Sequence, residues 1–341
     1  MKPTVHDIAA EAGVSLATVD RVLNGRPGVR QPTRERVRAA IEKLGFVRDV
    51  AAANLAKSRT YPLTFILPSN DNSFMQALRG EVEAARLRGP TERTAISTVT
   101  VPAFDADALV KALDEAAAQK PAGIAVVAVD AEPVRRAVDR LEEAGIPVVT
   151  LVSDLAESRR AHFAGIDNEA AGRTAAALMG RFLDGKAGNV AVLAGSLKVR
   201  DHRQRLDGFL AGLAESFPTI SVLPVLEGYD EPERVHGLVS ELLAREPGLI
   251  GLYSLGAGNR GLIRALGARA SRTRLPVIVH ELTAHTRSAL KAGLIDIVLN
   301  QDAGHEVRSA IRVLKARADG QGVIDAQERI RIDIFLKDNL P

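Results

Sequence analysis

A chain of 341 residues that is 46% hydrophobic has ample material for a core and room for two or three domains. It has no cysteine, which excludes disulfides and thiolate metal sites. Its apolar runs, such as residues 124–129, are of strand length, so no membrane span is expected.

The net charge of +3 decides little, but its distribution is uneven. Residues 1–60 hold eleven Lys and Arg against six Asp and Glu, a net of +5, which leaves the rest of the chain at −2. A small cationic head on a mildly acidic body suits a phosphate-binding module. Charges interrupt the apolar runs near Met1, so no export signal is expected, and the chain reads as cytoplasmic.

Within the head, Val5, Ile8, Ala9 and Ala12 fall at i, i+3, i+4 and i+7, one apolar stripe on a short helix. Thr4 can cap it, with Asp7 as the capping-box acid, and Gly13 breaks it. Ser15 can cap a second helix running to Leu23, with Val19, Val22 and Leu23 facing inward. Ala17 and Arg21 lie opposite that stripe, flanked by Asp20 and Asn24. A third helix fits Thr33 to Leu44 and ends at Gly45. It carries Arg34, Arg36, Arg38 and Lys43 on its outer face. The first two helices and their Gly-containing turn describe a helix-turn-helix.

This head resembles the lactose-repressor (LacI/GalR) family of bacterial transcription regulators. The resemblance rests on TVHDIAAEAGVSLATVDRVLNGRPGVRQPTRERVRAAIEKLGF, residues 4–46. It implies that Thr4, at the first helix start, and Ser15, Leu16, Ala17, Thr18, Arg21 and Asn24 meet DNA. Ala17 and Arg21 would contact base edges, and Ser15, Thr18 and Asn24 phosphates. Asp20 stands where many relatives have Ser; it would repel phosphate unless it reads a cytosine amino group or pairs with a basic neighbour. Asp49 could cap a short helix from Val50 to about Lys57, a hinge ordered only when bound. In the family this element pairs with its dimer mate and presses a leucine into the minor groove, a role that falls to Leu55. Arg48 and Ala53 depart from the family's usual Pro and Arg.

From Tyr61 the texture becomes alternating strand and helix. Strands are expected at 63–67, 96–101, 124–129, 148–152, 163–166, 190–194, 220–226, 249–254, 277–279, 295–299 and 330–336. Helices are expected at 74–88, 105–118, 132–144, 169–183, 201–215, 233–245, 259–267, 286–292 and 305–317. Continuous apolar strands between helices indicate parallel sheets covered on both faces. The fold class is therefore α/β, a small all-α head and a two-lobed, doubly wound body. The resemblance makes that body periplasmic sugar-binding protein-like. The expected domains are a head over 1–47, a hinge over 48–60 and an effector and dimerisation domain over 61–341. Its first lobe takes about 61–160 and 295–322, its second about 161–294 and 323–341.

Ligands of parallel sheets bind beyond the carboxyl ends of strands. The polar residues there that suit a polyhydroxylated ligand are Ser69, Asn70, Asn72, Asp130, Ser153, Asp154, Asn259, Glu281, Asn300 and Gln301, with Phe74 for the sugar's C–H face. The stretch HRQRLDGF, residues 202–209, matches a family element that makes Arg203 or Arg205 an effector ligand. The pair Asp167–Asn168 reads as a helix cap.

Two enzymatic readings compete. Gly256, Gly258 and Gly261 spell G-x-G-x-x-G with Glu281 about 20 residues on, the spacing of a dinucleotide fingerprint. The match lies in the last third of the chain, behind a helix-turn-helix, with no evident hydride-transfer base. His280, Glu281 and His285 approach a zinc-hydrolase motif, but an i, i+5 pair stands about 140° apart on a helix and cannot share a metal. A plain transport-type sugar-binding protein is the third alternative, and the basic head argues against it. The expectation is thus a non-enzymatic, ligand-responsive regulator, with repression its expected mode. Its partners would be a near-palindromic operator in double-stranded DNA, a sugar or polyol effector and a second copy of itself, with no cofactor, metal or membrane. No heptad tail follows Leu336, so the expected assembly is a homodimer.

Overall fold

A computed structural model describes residues 3–46, 59–69, 72–197, 199–256, 258–269 and 274–341. The chain divides into two compact units, residues 1–59 and 60–341. The expected hinge helix with Arg48, Ala53 and Leu55 lies outside the described residues, as does Asn70.

The head is built from α1 (Val5–Ala12), α2 (Leu16–Leu23) and α3 (Gln31–Leu44). Thr4 and Asp7 form a reciprocal capping box, and Gly13 ends α1 in the left-handed conformation at φ 59°. The Ser15 hydroxyl caps α2 by accepting from the Thr18 amide. Ile8, Ala12, Val19, Val37 and Ala40 make one small core. It is so small that capping contributes a large fraction of what keeps these short helices formed, at roughly 1 kcal/mol per cap.

The body holds two parallel sheets. The first has the order β2-β1-β3-β4-β5, from β1 (Tyr61–Pro68), β2 (Thr94–Val101), β3 (Gly123–Val126), β4 (Val148–Leu151) and β5 (His162–Ala164). The helices α4 (Ser73–Glu92), α5 (Ala106–Ala118) and α6 (Glu132–Glu143) connect its strands. The second sheet runs β12-β11-β10-β9-β6-β7. Its parallel strands are β6 (Gly188–Ala194), β7 (Ile220–Val222), β9 (Gly251–Ser254), β10 (Val277–His280) and β11 (Ile297–Asn300). A short β8 (Leu226–Glu227) pairs with β6, and β12 (Asp333–Phe335) joins antiparallel to β11. The expected single strand over 220–226 is split at Pro224, which has no N–H to give a ladder. The connecting helices are α7 (Asn168–Leu183), α8 (Arg200–Ser216), α9 (Pro232–Arg245), α10 (Asn259–Gly267) and α11 (Ala284–Lys291).

The chain crosses between lobes at points that correct the expected boundaries. His162–Ala164 pairs with β4, so the first lobe extends past residue 160. Ile297–Asn300 pairs with β10, so 295–300 belongs to the second lobe. The return to the first lobe begins with α12 (Ala303–Ala318), whose Val307, Ala310 and Leu314 enter that lobe's core. A one-turn helix α13 (Asp325–Glu328) precedes β12.

Helices α7 and α8 cross with their backbones nearly touching. A Cβ added at Gly172 would lie 2.0 Å from the Arg205 carbonyl oxygen, and one at Gly208 would lie 2.1 Å from that of Glu169. Only glycine permits this approach, which carries the α8 side chain of Arg205 into the body's centre. Among the described residues no helix is long and apolar enough to cross a membrane.

Candidate nucleic-acid interface and ligand cleft

On the head, Ser15, Leu16, Ala17 and Arg21 are exposed on one face of α2, and Thr18 is half-buried beside them. The Ser15 and Thr18 hydroxyls lie 3.0 Å apart. Thr4 spends its hydroxyl on Asp7. Asp20 pairs with a basic neighbour: its carboxylate takes Arg26 Nη1 at 3.2 Å and the Asn24 amide at 2.6 Å. The Asn24 amide also donates to the Asp20 carbonyl. The expected phosphate role of Asn24 therefore meets a side chain already committed within the head. Of the basic residues on α3, Arg34 ties down the loop at Arg26 and Val29, and Lys43 pairs with Glu11 at 2.7 Å. Arg36 and Arg38 are exposed.

In the body, the carboxyl ends of both sheets face one cleft. Asn72 caps α4 by accepting from the Phe74 and Met75 amides, and its own amide crosses the cleft to donate to Asp230 at 3.0 Å. Tyr229 and Asp230 are both left-handed, and this turn presents the Asp230 carboxylate to Asn72 and to the Gly258 N–H. Asp130, 6% exposed at its side chain, pairs with Arg135 of its own lobe and with Arg200 of the other at 3.1 Å. Arg203 reaches Asp130 only at 3.8 Å and is half exposed. Two bridges thus tie the lobes together.

Between the lobes is a cavity of about 360 Å³. Arg205, 1% exposed at its side chain, forms the inner part of the second-lobe wall. It donates to Asn168 Oδ1 at 2.8 Å, to the Leu255 carbonyl at 2.7 Å and to Glu281 Oε1 at 3.4 Å. Gln301 donates to the same Glu281 oxygen at 2.9 Å. Burial pushes Glu281 up to about 7, against the pull of Arg205 and Gln301. Five buried atoms on described residues lining this cavity have no partner: the oxygens Ser153 Oγ, Asp201 Oδ1, Glu281 Oε2 and Gln301 Oε1, and the donor Arg200 Nε. Buried polar atoms are nearly always paired, so this cluster marks a place for a ligand that brings donors.

The expected set therefore sorts into wall and frame. Asn72, Phe74, Asp130, Arg205, Glu281 and Gln301 line the cavity. Asp154 does not; Arg160, Thr150 and the Leu155 amide hold its carboxylate, and the next residue back, Ser153, faces in. Asn259 joins Ser254 to the His280 carbonyl and also lines a smaller neighbouring pocket with Asn72, Phe74 and Glu281. Arg203 is a rim residue. The reading of the sequence passed over Arg200, Asp201 and Asp230. All three follow strands of the second sheet. The expected strand over 190–194 ends where β6 ends, so Arg200 and Asp201 were within reach of the strand-end rule, whereas Asp230 follows β8, which the sequence did not separate from β7.

The glycine fingerprint has a packing explanation. A Cβ at Gly256 would lie 2.7 Å from Arg205 Nη1, and one at Gly261 would lie 2.1 Å from the Pro232 carbonyl oxygen. Glu281, in the place of the ribose-binding acid, is held by Arg205 and Gln301. His280 ends β10 with its ring on the Tyr253 hydroxyl at 2.7 Å, whereas His285 is on α11.

Together these features define a helix-turn-helix head and a two-lobed body with a ligand-sized cleft. Residues 4–49 match the family described as bacterial regulatory proteins, lacI family, and residues 63–322 match the periplasmic binding protein domain. By the domain that spans most of its length, the chain belongs to the periplasmic binding protein domain family, and it carries a lacI-family head. It is 41% identical over 83 residues to catabolite control protein A of Priestia megaterium, covering 24% of this chain and 25% of that protein. It is 31% identical over 217 residues to an uncharacterised HTH-type transcriptional regulator of Streptomyces limosus, covering 64% of this chain and 60% of that one. The chain thus spans between a quarter and three-fifths of the length of these relatives. The body is similar to an ABC transporter solute-binding protein from Burkholderia graminis in complex with D-arabinose. The TM-score is 0.74 at 25% identity, over 83% of this chain and 97% of that one.

Proposed function

We propose that this protein is a sequence-specific transcription regulator whose operator affinity is set by a small sugar or polyol held between its lobes. The observation that carries the reading is the cluster of unpartnered oxygens at Ser153, Asp201, Glu281 and Gln301, in a chain that begins with a lacI-type head. Three of these are carboxylate or amide acceptors, and vicinal hydroxyls are the matching donors. The D-arabinose held by the Burkholderia graminis protein supports the same ligand class.

In this reading α2 enters the major groove, Ala17 and Arg21 meet base edges, and Ser15, Leu16 and Thr18 pack along the backbone. The protein acts as a cytoplasmic homodimer on a near-palindrome and carries out no chemistry of its own. Leu55 wedges the minor groove between half-sites. The bridges Asp130–Arg200 and Asn72–Asp230 form with the lobes together. A polyol alters those bridges on binding, and whatever it gains in one lobe arrangement it must return as a change in operator affinity.

The test selects binding sites from random duplex DNA with the full chain, then titrates the best site in the presence of a panel of monosaccharides and polyols. The expected result is a two-fold-symmetric site whose affinity shifts at least fivefold with one member of the panel. Selection of no symmetric site, or a site that responds to none of the polyols that bind, overturns the reading.

A further inference from the structure

The two walls of the cleft differ in kind, and the difference bears on what the ligand is. On the second lobe, Asp201, Glu281 and Gln301 each offer an unpartnered oxygen. On the first lobe the polar side chains are Asn72, Asp130 and Ser153, and two of them are committed. Asn72 is held by α4 and Asp230, and Asp130 by Arg135 and Arg200. Among the described residues of that wall, only the Ser153 hydroxyl is unpartnered. The rest of that wall is apolar, including Phe74, Met75, Val101, Phe104 and Val129.

A bare sugar carries hydroxyls around its whole ring, and each wants a partner. One C–H face of the ring can lie on Phe74, but hydroxyls turned toward Val101, Phe104 and Val129 would be buried without one, which costs about 1–3 kcal/mol per group. The cavity, at about 360 Å³, also falls within the range that holds drug-sized molecules.

Phe104 adds an independent observation. It is a bulky side chain held at φ 64°, in the left-handed region, and it is 53% exposed. Backbone strain of this kind costs of order 1–3 kcal/mol and persists where the surroundings impose it, often at ligand clamps. The side chain lies in the loop after β2, on the cavity's first-lobe side. It presents an aromatic face that the protein's own core does not cover.

We infer that the effector is a glycoside with an apolar aglycone, its sugar hydroxyls on the oxygens of Asp201, Glu281 and Gln301 and its aglycone on the first-lobe wall at Phe104. This rests on the polyol reading above and narrows it. The aglycone replaces water on an apolar surface, and the hydroxyls pair the buried acceptors.

The experiment is isothermal titration calorimetry of the full chain with matched sets: D-glucose, D-galactose, D-xylose and L-arabinose, each beside its butyl and phenyl glycosides. In the configuration that binds, an aglycone is expected to tighten Kd at least tenfold over the free sugar. Phe104→Asn, which suits left-handed backbone and removes the apolar face, is expected to cut that advantage at least threefold. It should leave the free sugar's Kd within twofold and the unfolding temperature close to that of the parent. A free sugar that binds as tightly as its glycosides, or an advantage that Phe104→Asn leaves unchanged, overturns this inference and leaves the polyol reading standing. If no member of any set binds, both fall.

Discussion

Asp130 of the first lobe and Arg200 of the second meet across the cleft, Oδ2 to Nη1, at 3.1 Å. The carboxylate is nearly buried and also takes Arg135, so it neutralises cations from both lobes. Removing one partner of such a cluster leaves charge uncompensated. Asp130→Asn is expected to lower stability by roughly 1–3 kcal/mol and to let the ligand-free lobes separate. Small-angle scattering should then give a larger radius of gyration for the ligand-free variant than for the parent. An unchanged radius would show that the bridge does not hold the cleft closed.

Arg21 is exposed on the outer face of α2, and Asp20 beside it is turned toward Arg26 and Asn24. The acid is thus partly neutralised within the head. Arg21→Ala is predicted to weaken the selected operator by about 1–3 kcal/mol and to relax one base position. Fluorescence anisotropy on matched and single-base-changed duplexes reads both effects. An equal loss on random DNA would reassign Arg21 to phosphate.

Glu306, on α12, is fully buried with neither carboxyl oxygen partnered. Burial, with Glu281 adding to it, pushes its carboxyl well above the ordinary value. The folded state therefore keeps the proton to higher pH than the unfolded chain does. Stability attributable to this group is unaffected below the ordinary glutamate range and falls as pH rises above it, by at most about 1.4 kcal/mol per pH unit. Glu306→Gln should raise the unfolding temperature at pH 8 and change it little at pH 4.5. A stabilisation independent of pH would mean that the carboxyl's ionisation is not the cause.

Glu281, pushed up to about 7, is close to half protonated in neutral buffer. Hydroxyl donors on its unpartnered Oε2 favour the carboxylate, so binding a polyol at pH 7 should release a fraction of a proton. Calorimetric titrations in buffers of different ionisation enthalpy measure that number. Glu281→Gln should abolish the release. Proton uptake in place of release would mean that the ligand accepts a hydrogen bond from the neutral acid.

At the α7–α8 crossing, a methyl at Gly208 would meet the Glu169 backbone at 2.1 Å. Neither helix can yield locally, since both are anchored in the second lobe's core by Ala176, Met179, Phe209 and Leu213. Gly208→Ala is expected to cost at least about 2 kcal/mol in chemical denaturation. Arg205, carried on the same helix, should lose ligand affinity with it.

Local signals were enough to set much of this architecture. The stripe of Ile8, Ala9 and Ala12, the Thr4–Asp7 box and Gly13 specify α1, because each acts within one or two turns of chain. The buried parallel strands were legible as unbroken apolar runs for the same reason: a strand covered on both faces has no polar side to show. Motif order alone also pointed to the lacI-type head.

Pairing and orientation depend on residues far apart in sequence, and these the tertiary structure decided. Asp154 and Ser153 are neighbours, yet Arg160 draws one into the loop and the other lines the cavity. Nothing within a few residues distinguishes their fates. Asn259 follows β9 as the strand-end rule expects, but that its amide is taken by the His280 carbonyl, 21 residues on, no local signal shows. The lobe to which 295–300 belongs is fixed by hydrogen bonds to β10 and β12, and a short apolar run fits either sheet equally well. Local chemistry wrote the elements and the head. The cleft is a product of long-range contacts, since its walls come from strand ends that meet only when two sheets fold against each other.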